Sequence, residues 1–134
     1  MCLINKRQIH PEKDLTVYKV LACRGGRYTS PLFDYTYWYS GVKHKLTAKF
    51  WVMSEKDDFE YQMQYGCGFH SFKTLDAAKQ WVYHWEHAIK KGFGKVAYAK
   101  CHIPATADFV YTGRDQDTKI PAVVSSELIM DEII

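Results

Sequence analysis

The sequence lacks any apolar run long enough to form a membrane-spanning helix. Such a helix needs about 20 consecutive apolar residues, and charged or polar residues interrupt every apolar stretch of this chain well before that length. The first residues also lack the charged and then apolar segment of a secretory signal. We therefore expect no membrane partner and a cytoplasmic location.

Cysteines are few, and they are scattered along the chain. They occupy positions Cys2, Cys23, Cys67 and Cys101. Because no two of them form a CxxC pair, the spacing argues against a zinc knuckle and against a disulfide-rich secreted scaffold. His84 and His87 fall three residues apart in a predicted helix, but the sequence offers them no third ligand. We predict no metal site.

The excess of positive over negative charge is small as well. The sequence has 18 Lys and Arg residues and 15 Asp and Glu residues, a formal net charge of +3. A nucleic-acid-binding domain usually carries a stronger and more clustered basic charge. We interpret the basic stretches at 43–49 and 90–95 as solvated faces, and we do not expect a nucleic-acid partner.

Aromatic residues, by contrast, are abundant, at 16% of the 134 residues. A chain of this length is typical of one domain with its own hydrophobic core. Residues 1–14 are polar and contain Pro11, so we predict an N-terminal arm there and a single α+β domain at 15–134. Alternating branched and aromatic residues at 15–23 predict a buried strand.

One main helix is predicted at about residues 74–90. Thr74 is a favourable N-cap at its start. Its apolar stripe has the spacing of a helix and consists of Leu75, Ala78, Val82, Trp85 and Ile89.

Strand patterns follow the helix at 95–104, 107–113 and 127–134. Between the last two we predict a polar loop, because Gly113 and Pro121 are typical of turns. The predicted fold class is α+β, with a mostly antiparallel curved sheet packed with the main helix.

The stretch "YGCGFHSFKTLDAAKQWV" at 65–82 places glycines, an imidazole and a hydroxyl just before this helix. Gly68 lets another strand or a ligand approach the backbone closely, and the helix start offers N–H groups that suit phosphate. His70 and Ser71 would then reach the ligand from this corner. The same pattern is typical of a close-packed turn from strand to helix, so packing and binding both stay open.

This run resembles the middle motif of ADP-ribosyltransferase-like folds, which include poly(ADP-ribose) polymerases and several bacterial toxins. The matching residues are Gly66, Gly68, Phe69, His70, Ser71, Ala77, Ala78 and Trp81. "SSELIMDEII" is similar to the last motif of these enzymes, a strand that begins with a catalytic glutamate, and Glu127 takes that place. "TVYKVLACRGG" is similar to the first motif, in which Lys19 stands where a His or Arg is expected.

The resemblance implies an ADP-ribosyltransferase-like fold, NAD or a related nucleotide as cofactor, and Glu127 as the catalytic residue. The cofactor-binding residues that it implies are Tyr18, Lys19, Gly68, Phe69, His70 and Ser71. A lysine lacks the fork of hydrogen-bond donors that an arginine offers. A catalytically degenerate nucleotide-binding protein is therefore an alternative to an NAD-dependent ADP-ribosyltransferase, and whether the protein is an enzyme stays open.

The chain also resembles small proteins of gut Bacteroidales and their phages, which share its "MCL" opening, "VYKV", "GFHSFKT" and an "EII" tail. This resemblance implies a bacterial or phage setting, with the host cytoplasm as the location of a phage product, and it brings no activity with it. The alternative function is a non-catalytic module that sequesters a nucleotide signal or binds a protein partner in host defence.

Overall fold

Antiparallel strands and a helix make up the part of the chain that the structure describes. The computed structural model describes residues 3–31, 36–37, 43–45, 68–85 and 95–134. In chain order the elements are β1 (Leu3–Ile9), β2 (Leu15–Arg24), β3 (Arg27–Thr29), β4 (Thr36–Tyr37), β5 (Lys43–Lys45), β6 (Phe69–Ser71), α1 (Leu75–His84), β7 (Lys95–Ile103), β8 (Val110–Asp115), β9 (Pro121–Ser125) and β10 (Glu127–Ile133). The α+β class that the sequence predicts is confirmed.

The strands pair in two sheets rather than in one curved sheet. The four-stranded sheet has the order β1-β8-β9-β6, and the six-stranded sheet has the order β4-β3-β2-β7-β10-β5. The antiparallel pairing that we predict is confirmed in both. The chain changes sheets at Ser126, because β9 belongs to the first sheet and β10, one residue later, belongs to the second.

The central ladder of the six-stranded sheet joins β2 to β7. It is unbroken from Leu15 opposite Ile103 to Cys23 opposite Lys95. Residues opposite each other project from the same face of a sheet. One side, the Cys101 face, carries fully buried apolar side chains, namely Val17, Leu21, Ala99, Cys101, Ile103, Leu128 and Met130. The opposite side is called the His102 face.

A pair of backbone hydrogen bonds joins the two sheets. The Tyr18 N–H donates to the Phe72 carbonyl oxygen at 2.7 Å, and the Phe72 N–H donates to the Tyr18 carbonyl oxygen at 2.8 Å. Just before this point β6 pairs with β9, with Phe69 opposite Ser125. One short segment therefore bonds first to the four-stranded sheet and then to the six-stranded sheet.

A hairpin of β8 and β9 replaces the predicted polar loop. Pro121 begins β9, and Gly113 is paired inside the ladder. A side chain at Gly113 would approach the backbone oxygen of Ile4 in β1 to 2.7 Å, so this glycine permits a close strand contact and does not mark a turn. The turn is set instead by Asp115, whose Oδ2 accepts from the Thr118 N–H at 2.9 Å and from its hydroxyl at 2.6 Å.

The structure also differs from the predicted N-terminal arm, because Leu3–Ile9 form β1 and pair with β8. Leu3 is buried, but most of the strand is exposed or half-buried, so its sequence shows no apolar alternation. The register shifts between Ile4 and Arg7, and there Asn5 adopts a positive φ of 53°. Asparagine tolerates that conformation better than most residues do.

Helix α1 begins where the sequence predicts. The Thr74 hydroxyl accepts a hydrogen bond from the Ala77 N–H at 3.1 Å, which satisfies one of the open donors of the first turn. Ala78 is buried, and so is Trp81, which the predicted stripe leaves out. The Trp81 ring lies 6.0 Å from the Phe72 ring between centroids, so the helix packs on the segment that leads into it.

The second half of the predicted helix lies partly outside the described residues. The helix ends at His84, with Trp85 as its C-cap, and Ile89 falls in the part that is not described. Leu75, Val82 and Trp85 are half-buried. Within the described ranges, no helix combines the length and the apolar character that crossing a membrane requires.

We expect Trp81→Ala to lower the free energy of unfolding by about 3–5 kcal/mol, because the ring is only 3% exposed and its removal leaves a cavity. Tyr83→Ala is the matched control, since that ring lies on the same helix and is 76% exposed; its effect should stay below about 0.5 kcal/mol. Urea denaturation measures both. A loss below about 1 kcal/mol for Trp81→Ala would contradict this packing.

Candidate functional site

The corner between β6 and α1 is closed by packing at its strand end. β6 consists of three buried residues, Phe69, His70 and Ser71. The Gly68 carbonyl oxygen lies 3.0 Å from the His70 Nδ1, and because a carbonyl oxygen can only accept, Nδ1 carries the proton. Lys73 and Thr74 are exposed. The corner therefore meets solvent at its helical end.

Lys19 reaches this corner from β2. Its side chain is buried, with 5% of the residue exposed, and its Nζ donates to the His70 carbonyl oxygen at 2.6 Å. Burial lowers the pKa of the Lys19 ammonium from 10.5 to about 8. Burial also raises the pKa of the Cys101 thiol to about 12, so this cysteine stays a thiol at neutral pH.

The structure brings the six predicted cofactor-binding residues into two adjoining segments. They are Tyr18 and Lys19 in β2, and Gly68, Phe69, His70 and Ser71 at the corner. The bridge between Tyr18 and Phe72 aligns the two segments, and Tyr18 keeps part of its surface exposed. That these residues bind a nucleotide stays a prediction.

Two buried donors of the corner have no hydrogen-bond partner among the described residues. They are the Ser71 hydroxyl and the indole N–H of Trp81. A buried donor without an acceptor costs about 1–3 kcal/mol, and such groups are frequent where water or a ligand binds.

Glu127, the predicted catalytic residue, is directed away from Lys19. Its Oε1 lies 3.0 Å from the Nζ of Lys43 in β5, and its side chain is buried. Ile129 stands opposite His102, so Glu127, two residues earlier in the same strand, projects from the His102 face. Lys19 projects from the Cys101 face. The two side chains therefore leave the sheet on opposite sides, and the catalytic role of Glu127 stays a prediction.

The sequence does not predict that Lys43 is the partner of Glu127. Lys43 belongs to a basic stretch that we interpret as a solvated face, and its side chain is in fact half-exposed. The partnership depends on the pairing of β5 with β10, for which the sequence carries no local signal. Gly66, the first residue of the resembling motif, lies outside the described residues.

Comparison with known proteins provides no relative from which a role can be transferred. No family model, no curated protein and no solved structure matches the chain. The ADP-ribosyltransferase-like assignment and the bacterial or phage resemblance therefore stay predictions from sequence motifs. The contacts of the described residues are the basis for any functional proposal.

We expect the stability of the wild type, relative to Lys19→Met, to rise between about pH 8 and pH 10.5. The unfolded chain keeps the Lys19 proton up to its ordinary pKa of 10.5, whereas the folded protein releases it above about 8. Between these values the unfolded state binds more protons, so raising the pH favours the folded state. The full rise is about 3 kcal/mol.

Chemical denaturation of both proteins across this pH window measures the difference in stability. Groups that both proteins share cancel to first order in that difference, apart from Cys101, whose pKa the Lys19 charge lowers. Lys79→Met, at an exposed position of α1, is the control for the loss of a lysine. If the difference between wild type and Lys19→Met is flat across the window, Lys19 is not buried as described.

Proposed function

We propose that the protein is a catalytically degenerate, ADP-ribosyltransferase-like module that binds NAD or a related nucleotide. The observation that carries this proposal is the separation of Lys19 from Glu127. Lys19 donates to a backbone carbonyl on the Cys101 face, and Glu127 pairs with Lys43 on the His102 face. A transferase of the resembling type needs both groups at one nucleotide. Binding without turnover is the function that fits this arrangement.

The start of α1 is the place at the corner that suits the phosphates of such a ligand. Backbone N–H groups of the first turn and the positive end of the helix dipole attract anions. Lys73, directly before the Thr74 cap, adds an exposed positive charge. Asp76 in the same turn opposes an anion, so we expect modest rather than tight binding.

Tyr18 suits the ring end of the ligand. Its backbone bonds to Phe72, so it lies beside the residue that precedes Lys73. The partly exposed phenol ring offers a face on which a base or a nicotinamide ring stacks, a contact worth about 1–3 kcal/mol per base.

We expect calorimetry to detect binding of NAD or ADP-ribose to the wild type. Tyr18→Ala should weaken binding by about tenfold or more through loss of stacking, and Lys73→Gln by about threefold to fivefold, as for an exposed charge contact. Lys79→Gln, an exposed lysine further along the helix, should leave the affinity unchanged. If the wild type binds neither nucleotide at millimolar concentration, the nucleotide proposal is wrong.

We expect no release of nicotinamide from NAD by the wild type, and an affinity within about twofold of wild type for Glu127→Gln, because the carboxylate does not reach the ligand. Chromatographic assay of nicotinamide, beside the binding measurement, tests both statements. Release by the wild type that Glu127→Gln abolishes at unchanged affinity would instead identify a transferase, in which Glu127 acts in the transition state.

A protein partner is the second candidate ligand. The burial of all three β6 residues counts against a small ligand at that strand, because a small molecule reaches little of their side chains. Such a module would still need no catalytic group. This candidate replaces the first if calorimetry shows no nucleotide binding to a wild type that is folded by circular dichroism.

A further inference from the structure

A histidine lies between two carboxylates on the His102 face, in a region separate from the β6 corner. The Nδ1 of His102 is 2.9 Å from both carboxylate oxygens of Asp131, and its Nε2 is 3.8 Å from Oδ2 of Asp14. Asp131 belongs to β10, and Asp14 immediately precedes β2. Three segments that are distant in sequence thus meet at one imidazole.

A β-bulge lies in β10 at Asp131. The register of β10 on β7 shifts between Met130 and Glu132, which leaves Asp131 as the extra residue. Bulges redirect side chains, and they are frequent beside functional sites. Thr16, which stands opposite His102 in β2, is exposed, so the imidazole lies at an accessible part of the sheet.

The hydrogen bond to Asp131 assigns the proton of the neutral imidazole. A carboxylate only accepts, so Nδ1–H is the donor, and Nε2 carries a lone pair. The nearby Oδ2 of Asp14 is also an acceptor. Its separation of 3.8 Å from Nε2 is too long for a hydrogen bond. Two adjacent acceptors suit a bound cation.

The spacing of the two acceptors is close to the spacing of two metal ligands. Zinc–nitrogen and zinc–oxygen bonds are about 2.0–2.2 Å long, which puts two tetrahedral ligands roughly 3.4 Å apart. The 3.8 Å between Nε2 and Oδ2 reaches that value with a movement of about 0.4 Å. The Asp14 side chain is 61% exposed and has room for this movement.

Both acceptors are held in place by further hydrogen bonds. The Ala105 N–H donates to Oδ1 of Asp14 at 3.0 Å, which leaves Oδ2 for an ion. Asp131 holds the ring of His102 and its tautomer. A metal-binding histidine usually donates its other ring N–H to a carboxylate in this way, and that contact raises the basicity of the ligating nitrogen.

We propose that Nε2 of His102 and Oδ2 of Asp14 bind one divalent cation of the zinc class, with Asp131 as a positioning residue. One imidazole and one carboxylate are ligands that suit Zn²⁺ and its neighbours. Among the described residues no group of three or more His, Cys, Asp and Glu side chains is placed to hold a metal. Water or an oxygen of a bound molecule therefore completes the coordination.

Calorimetric titration with ZnCl₂ of tag-free, chelator-treated protein tests the site. We expect one ion per chain. His102→Gln and Asp14→Asn should each weaken binding by about tenfold or more, since each removes a ligand, and Asp131→Ala should weaken it by about tenfold through loss of the ring orientation. His84→Gln, an exposed histidine at the end of α1, is the matched control and should bind zinc like the wild type.

Long-range ¹H–¹⁵N spectra of the imidazole provide a readout that a merely structural contact would not change. With zinc, the Nε2 resonance of His102 should shift as for a metallated nitrogen, while Nδ1 stays protonated. The proposal is overturned if zinc does not bind to the wild type, if His102→Gln binds it equally well, or if His84→Gln loses it. An imidazolium that keeps both protons in the presence of zinc would show that His102 only forms ion pairs.

The test stays decisive even if one variant does not fold. If His102→Gln does not fold, Asp14→Asn carries the decision, because Asp14 is largely exposed and lies outside the strands. Thermal unfolding of each variant without metal separates loss of the fold from loss of the ligand.

Discussion

The backbone pairing of Tyr18 with Phe72 is the constraint on which the rest of the arrangement depends. These two hydrogen bonds join the six-stranded sheet to the segment that β9 has already bound on its other side. Because the segment is fixed from two directions, the start of α1 has little freedom, and Trp81 packs back against Phe72. The position of Lys19 follows directly, since the residue after Tyr18 must project from the opposite face, toward the His70 carbonyl oxygen.

The burial of Lys19 gives this corner a chemical character that a motif alone does not predict. An ammonium removed from water loses hydration that contacts inside the protein replace only in part, and the lowered pKa of Lys19 reports that loss. A lysine side chain buried like that of Lys19 stabilises a strand segment more readily than it binds the phosphate of a ligand that enters from solvent. Lys19 thus has a structural role, in which the cation contacts the backbone of β6.

Local signals in the sequence predict the elements that depend on neighbouring residues. The alternation in β2, the Thr74 cap and the turn from strand to helix are all of this kind, and the structure has them. The two-sheet arrangement and the partnership of Glu127 with Lys43 depend on which strands pair and in which register. Those choices are made between residues far apart in sequence, and the alternation within one strand does not encode them. Trp81 is missed for a different reason, because its spacing from Ala78 and Trp85 is also helical and the predicted stripe takes Val82 in its place.

The surroundings of His102 are a second example of an arrangement that the sequence does not predict. Spacing along the chain predicts no metal site, because His84 and His87 have no third ligand and the cysteines form no CxxC pair. The unbroken ladder of β2 and β7 brings Asp14 to one side of His102. The pairing of β10 with β7 brings Asp131 to its other nitrogen. Two carboxylates around one imidazole are therefore a consequence of sheet geometry, which puts one nitrogen of His102 against Asp131 and the other near Asp14.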